Sequence, residues 1–334
     1  MNKVTMADVA LKAGVSKSTV SQYINNRFEY MAEPTKIRVQ EAIEELRYIP
    51  NFVAKSLKQK KSLTIGVIVA NILHTFSTEI IRAIEDECEI NNFHLFVCNA
   101  DDDPKKERAY IDMLVAKQVD GLIIFPTNGN LDLYQKLKAA NFPIVFVDRK
   151  IDEPLYPTLL LDNMNASSLA VSSILKASRS EMAIITTSIN DNVTPRVERL
   201  NGFRDALVEN GISPNEAWLI AEERSEIRSR LEKIWASNER PKAFFASNDL
   251  SLIELLRFIK ENDIQVPEEA SVIAIDDSPF LEISSPPITV IKQPTFEMGK
   301  DAAKRLLQLL KDGTLEESYE IKRYLPTLIE RQSI

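Results

Sequence analysis

The sequence predicts a small all-helical head followed by a large α/β body built from two parallel-sheet subdomains. Three observations carry this reading. Residues 1–62 hold eleven Lys or Arg against six Asp or Glu, whereas the whole chain of 334 residues carries a net charge of −8, so a basic head precedes an acidic body. The opening residues break into short capped helices. From Leu63 onward, strand-length apolar runs alternate with amphipathic stretches, the pattern of parallel strands covered by helices on both faces.

In the head, Thr5-Met6-Ala7-Asp8 has capping-box spacing. Val9, Ala10 and Ala13 supply an apolar stripe, and Gly14 suits the left-handed turn that ends a helix. Ser16 caps a second helix with Val20, Tyr23 and Ile24 inward and Asn25-Asn26 at its end. A third helix begins after Pro34, buries Val39, Ala42, Ile43 and Leu46, and stops before Pro50. The second helix leaves Lys17, Ser18 and Gln22 on its exposed face, where polar side chains can read base edges in a major groove. Thr5, Ser16, Thr19, Ser21 and Asn25 are short polar groups suited to phosphate contacts, which fix register. The segment 50–62 is basic and reads as a linker. Asn51 can cap a short helix there that sets Val53 and Leu57 four residues apart on one face.

In the body, strands are predicted at 63–70, 93–99, 119–125, 144–148, 183–187, 243–247 and 272–276. Helices are predicted at 78–91, 105–117, 166–176, 197–210, 249–262 and 296–311. That is more than one sheet normally uses, so two sheets with a cleft between them are expected, with ligand groups beyond the carboxyl ends of strands. At such ends stand His74, Asp148-Arg149, Asn248-Asp249 and Asp276-Asp277. Arg196 and Arg199 open the helix toward Gly202, and Gln293 lies at an expected crossover. Arg forks hold carboxylates bidentately, so several arginines near one cleft favour an acidic ligand.

Enzyme chemistry finds little support in the inventory. The eight glycines form no dinucleotide fingerprint or phosphate loop, the two histidines form no zinc-protease motif, and no nucleophile elbow occurs. No cofactor or metal is expected. Asp101-Asp102-Asp103 before Pro104 reads as a helix start rather than a cation site. Cys88 and Cys98 read as buried reduced thiols. The opening Met1-Asn2-Lys3-Val4-Thr5 lacks a secretory pattern and no apolar run reaches membrane-span length, so a cytoplasmic protein is expected.

The segments 4–10 and 14–25 closely resemble the headpiece of the LacI–GalR repressor family. The likeness continues at Tyr48-Ile49-Pro50-Asn51, Ala54-Lys55-Ser56-Leu57 and Ile65-Gly66-Val67. It resumes at 119–123, 199–203, 246–249, 275–277 and Lys292-Gln293-Pro294. It implies a helix-turn-helix domain at 1–50, a hinge helix and linker at 51–62, and a periplasmic-binding-protein-like body at 63–334. The body would divide into subdomains of about 63–162 with 293–322 and about 163–292 with 323–334, joined by three crossovers. It also implies that hinge helices from two subunits pack in the minor groove, with Leu57 wedged between base pairs, Lys55 beside it, and Asn51, Val53 and Ala54 in the contact. Arg199, Asn248 and Asp276 match sugar-contacting positions of the family. Gln22 stands where many relatives have Arg, so the preferred half-site differs from theirs. The 17–22 series and Arg27-Phe28-Glu29-Tyr30-Met31 are similar to regulators of 2-keto-3-deoxygluconate and pectin-sugar metabolism.

The expectation is therefore a homodimeric repressor of carbohydrate genes that binds a near-palindromic operator. A sugar or sugar acid, first of all 2-keto-3-deoxygluconate, releases it. The chain closes at Arg331-Gln332-Ser333-Ile334 without a heptad helix, which favours a dimer over a tetramer. A corepressor mode, a cytoplasmic sugar-binding protein and a sugar enzyme remain as alternatives.

Overall fold

The computed structural model describes residues 4–29, 31–49, 62–316, 319 and 321–334. It divides into two compact units, residues 1–62 and 63–334.

The head consists of α1 (Met6–Ala13), α2 (Lys17–Ile24) and α3 (Glu33–Leu46). At the start of α1 the Asp8 carboxylate accepts from the Thr5 amide at 2.8 Å and from the Thr5 hydroxyl at 2.7 Å. Gly14, at φ 63°, ends the helix in the left-handed conformation. Ser16 Oγ accepts from the Thr19 amide at 3.1 Å and starts α2. α3 begins at Glu33, one residue before Pro34, because a proline in the first turn removes only an amide that has no helical partner. One fully buried valine from each helix, Val9, Val20 and Val39, centres the core of the head.

The first sheet of the body has the order β11-β5-β4-β3-β1-β2. Its strands are β1 (Thr64–Val69), β2 (His94–Asn99), β3 (Gly121–Ile124), β4 (Ile144–Val147), β5 (Thr158–Leu161) and β11 (Ile321–Tyr324). All neighbours in it are parallel. The second sheet has the order β12-β10-β9-β8-β6-β7. It comprises β6 (Met182–Thr187), β7 (Leu219–Glu222), β8 (Ala243–Ala246), β9 (Ser271–Ile275), β10 (Thr289–Lys292) and β12 (Thr327–Ile329). Among the described residues, only β12 runs antiparallel, against β10.

Helices cover both faces of each sheet. Ile65, Val67 and Val69 of β1 join one core cluster, under α4 (Thr75–Ile90) and α12 (Thr295–Asp312). Ile68 joins the opposite cluster, with α5 (Pro104–Ala116) and α6 (Leu131–Ala139). This is the two-residue alternation of a strand buried on both faces. The second sheet is packed likewise. α9 (Arg224–Trp235) and α10 (Asp249–Glu261) cover one face, α7 (Asn163–Lys176) and α8 (Thr194–Glu209) the other, and a short α11 (Pro279–Glu282) follows β9. Helices α4 and α12 meet closely at Gly299, where a Cβ would stand 2.7 Å from that of Ala83 and 2.8 Å from the Ile80 carbonyl oxygen.

The chain passes between the lobes three times: between β5 and α7, between β10 and α12, and between β11 and β12. The third passage comes after Tyr324, so the returning segment of the first lobe extends two residues past 322. Cys88 and Cys98 are both buried and free, and burial pushes the Cys88 thiol up to about 12. Among the described residues, no helix is long and apolar enough to cross a membrane.

Candidate nucleic-acid interface and interlobe cleft

Helix α2 has two faces of different character. Val20 is fully buried, and Tyr23 and Ile24 pack against the same cluster. Lys17, Ser18 and Gln22 are exposed on the other side. Ser16 and Thr5 are exposed as well. Ser16 Oγ is shared among neighbours, 2.6 Å from Ser18 Oγ and 2.9 Å from Thr19 Oγ1. Asn25 donates from Nδ2 to the Ser21 carbonyl at 2.7 Å, which secures the helix end. Thr19, Ser21 and Asn25 are half-buried, so they reach solvent only in part. The expected hinge positions Asn51, Val53, Ala54, Lys55 and Leu57 lie outside the described residues.

In the body, strand ends from both lobes converge. His74, Asp148, Arg149, Arg196, Arg199, Asn248, Asp276 and Gln293 all line one cavity of about 50 Å³. Asp148 and Asp276 occupy equivalent places in the two lobes, directly after β4 and β9. Both take left-handed backbone angles, at φ 69° and 77°, which turn the chain sharply at the strand end. Arg199 is buried, and donates from Nε to Asn163 Oδ1 at 2.8 Å and from Nη1 to the Ser247 carbonyl at 2.6 Å. Asn248 caps α10 by accepting from the Ser251 amide at 2.8 Å. Gln293 donates to Asp276 Oδ1 at 2.6 Å, and its buried Oε1 lacks a hydrogen-bond partner among the described residues. Burial pushes the Asp276 carboxyl up to about 6, against the pull of the nearby Arg199 charge.

Two carboxylates tie the lobes together beside this cavity: Asp249, expected at a strand end, and Asp102, expected only at a helix start. Asp249, at the start of α10, lies 2.5 Å from His74 Nδ1 and accepts from the Thr75 amide at 3.0 Å, both at the start of α4 in the other lobe. Burial opposes charge on His74, but the Asp249 hydrogen bond and charge prevail and raise its pKa above 6.5. Asp102 accepts from Arg149 Nη2 at 2.6 Å within its own lobe and from Arg196 Nη2 at 3.0 Å across the cleft. Burial would raise the Asp102 carboxyl, yet the two guanidinium charges hold it below the usual carboxylate range.

Asp102 revises the helix-start reading of the Asp101–Asp103 run. Asp103 alone caps α5, accepting from the Lys105 amide at 2.8 Å. Asp101 and Asp102 take left-handed backbone angles, and that turn carries the Asp102 carboxylate into the cleft. The argument from arginine number changes with it. Arg149 and Arg196, expected to hold a ligand carboxylate, already hold an internal one.

Beyond Asp102 the cleft opens outward. Arg149 and Val193 are shared with a cavity of about 120 Å³. That cavity leads past Asn128 and Asn192 to an open groove of about 570 Å³, also lined by Lys150 and Asn201. Ligand sites typically need roughly 300–1,000 Å³, so the inner cavity at its present size admits no sugar until the lobes part.

Residues 5–51 match the family model for bacterial regulatory proteins of the lacI family, and residues 173–334 match the periplasmic binding protein-like domain. The chain is 44% identical over 333 residues to the probable HTH-type transcriptional regulator EndR of Paenibacillus polymyxa, covering 99% of this chain and 98% of the relative. It is 32% identical over 308 residues to the HTH-type transcriptional regulator KdgR of Bacillus subtilis (strain 168), covering 91% and 90%. A crystal structure of the lac repressor dimer, bound to operator and the anti-inducer ONPF, superposes with a TM-score of 0.84 at 27% identity, covering 99% of both chains. A capped helix with one buried and one polar face, and a two-lobed body whose strand ends converge on a buried polar cavity, are the parts of such a regulator. The chain belongs to the lacI family of bacterial regulatory proteins and is a DNA-binding transcriptional regulator, not an enzyme.

Proposed function

We propose that the protein represses genes of carbohydrate catabolism and that a small sugar or sugar acid, bound in the interlobe cleft, releases it from its operator. The convergence of eight polar and charged side chains on one interlobe cavity carries this reading. Carboxylate, carboxamide and guanidinium groups on both walls offer the donors and acceptors that vicinal hydroxyls require. The ion pairs from His74 to Asp249 and from Arg196 to Asp102 span the lobes, so a ligand that enters between them must alter the lobe geometry.

On the DNA, Lys17, Ser18 and Gln22 read base edges, while Thr5, Ser16, Thr19, Ser21 and Asn25 fix the head on phosphates. A homodimer supplies the two heads that a near-palindromic operator needs. Exposed Leu73, Phe96 and Val97 on the first lobe, with Phe280 and Ile283 on the second, provide apolar surface for a partner copy to cover.

Similarity to the regulator KdgR makes 2-keto-3-deoxygluconate the first compound to test. An uncharged sugar is the second reading, favoured because Asp102 already occupies the Arg149 and Arg196 pair. A thermal-shift screen of sugars and sugar acids, followed by anisotropy on a labelled fragment from upstream of neighbouring carbohydrate genes, tests the proposal. A compound that both stabilises the protein and releases the fragment supports it. Failure to bind that DNA, or turnover of the sugar by the pure protein, contradicts it.

A further inference from the structure

Arg149 and Arg196 approach each other from opposite lobes with a single carboxylate between them. One oxygen of Asp102 accepts from Arg149 and the other from Arg196. This is the arrangement in which an arginine pair would clamp the carboxylate of a bound acid. Asp102 also stands where the inner cavity passes into the outer one, since it lines the 120 Å³ space together with Arg149. With Asp148, Asp249 and Asp276 it sets four carboxylates against Arg149, Arg196, Arg199 and His74, so the cleft has no surplus of cationic groups over acidic ones to offer an anion.

We infer that Asp102 is a specificity-determining residue of the effector site: an internal carboxylate that occupies the Arg149–Arg196 clamp and discriminates against anionic sugars. This rests on the interlobe cavity being the effector site and takes the uncharged-sugar reading over the sugar-acid one. A neutral sugar uses the hydroxyl-binding groups around the cavity and lets the Asp102 bridge re-form once the lobes have parted to admit it. A sugar acid must displace the Asp102 carboxylate or bear its repulsion at close range. Either route costs binding that the neutral counterpart keeps.

The test measures calorimetric affinities for three matched pairs: glucuronate with glucose, galacturonate with galactose, and gluconate with glucitol. Asp102→Asn keeps the side-chain shape and removes the charge. Relative to wild type it is expected to improve the acid-to-neutral affinity ratio at least about tenfold, the scale of one charge-assisted hydrogen bond. The double variant Asp102→Asn/Arg196→Gln is expected to lose that gain, because the clamp then has only one arm. Circular dichroism and cooperative urea unfolding establish that both variants fold. A ratio that is equal in wild type and Asp102→Asn overturns the inference while the cavity stands as the effector site. A gain that survives in the double variant also overturns it, since the clamp would then not be the source. Absence of binding by every compound to every form overturns the cavity reading and the inference together.

Discussion

Replacing His74 by Ala removes one end of the interlobe tie, and the structure sets the size and sign of the effect. The carboxylate left behind is not orphaned, because Asp249 still accepts from the Thr75 amide at 3.0 Å and the Leu250 amide at 2.8 Å. The loss is therefore that of one charge-assisted hydrogen bond, about 1.5–3 kcal/mol. The lower half of that range applies, since the side chains of His74 and Asp249 are still 17% and 20% exposed. The pKa of His74 is raised in the folded state above its ordinary 6.5. Such a group stabilises fully below the unfolded value, and the contribution fades as pH rises through the folded value. The hydrogen-bonded Asp249 carboxylate keeps the proton on the ring; Asp276 and Asp148 also face it, but burial raises both carboxyls and weakens their charge at low pH. Urea unfolding at about pH 5.5 and about pH 8.5 should show the larger gap between wild type and His74→Ala at the lower pH. A gap that is constant, or that widens with pH, would refute the reasoning.

Three further outcomes follow from named contacts. Asp276→Asn removes a buried carboxyl raised to about 6 from 3.8. Wild type should lose stability as pH climbs through that window because the folded state holds the proton longer, whereas the variant should be flatter and more stable by about 1–3 kcal/mol above it; parallel pH–stability curves would contradict this. Gly299→Ala should destabilise the body by about 1–3 kcal/mol in urea unfolding, since its Cβ meets the backbone oxygen of Ile80 at 2.8 Å; an unchanged midpoint would show that α4 and α12 slide apart at no cost. Lys17→Ala and Gln22→Ala should each cost about 1–3 kcal/mol on the correct operator and less on unrelated DNA; equal weakening on all sequences would reduce them to phosphate contacts.

Much of the architecture was legible because burial imposes period. Strands β1, β3, β4, β6, β8 and β9 are apolar nearly throughout, as strands sandwiched between helices must be. The elements that escaped notice lack this signal. α9 buries only Ile227, Leu231 and Ile234 in a sequence dominated by charge. β11 exposes Ile321, Lys322 and Arg323 at the sheet edge and buries only Tyr324. β7 buries only Ile220 of its four residues, too little to distinguish it from loop.

In the site, polar residues just beyond apolar strands were legible by position, from His74 to Gln293. The interlobe pairing of Asp102 and of Asp249, the latter already placed at a strand end, was not. Asp102 sits in an acidic run whose ordinary role, capping a helix, is filled by its neighbour Asp103. Asp249 opens a helix, where any acid is expected. Only the left-handed turn at Asp101 and Asp102, and the packing of α4 opposite α10, reveal that these carboxylates face the other lobe. That pairing removes one support for an acidic ligand, because two of the three arginines already hold an internal carboxylate.

The account turns on coupling between two sites in one chain, the polar face of α2 and the cleft between the lobes. A ligand releases DNA only if it binds the DNA-incompetent state more tightly, so operator and effector must weaken each other by the same factor. Calorimetry of the sugar identified by thermal shift, with the protein free and then saturated with operator DNA, measures that factor directly. The account predicts weaker sugar binding in the operator complex, about 5–150-fold for a typical allosteric coupling, matched by the loss of operator affinity when sugar is saturating. Equal sugar affinity in the two titrations would contradict induction outright, and tighter binding in the operator complex would make the sugar a corepressor.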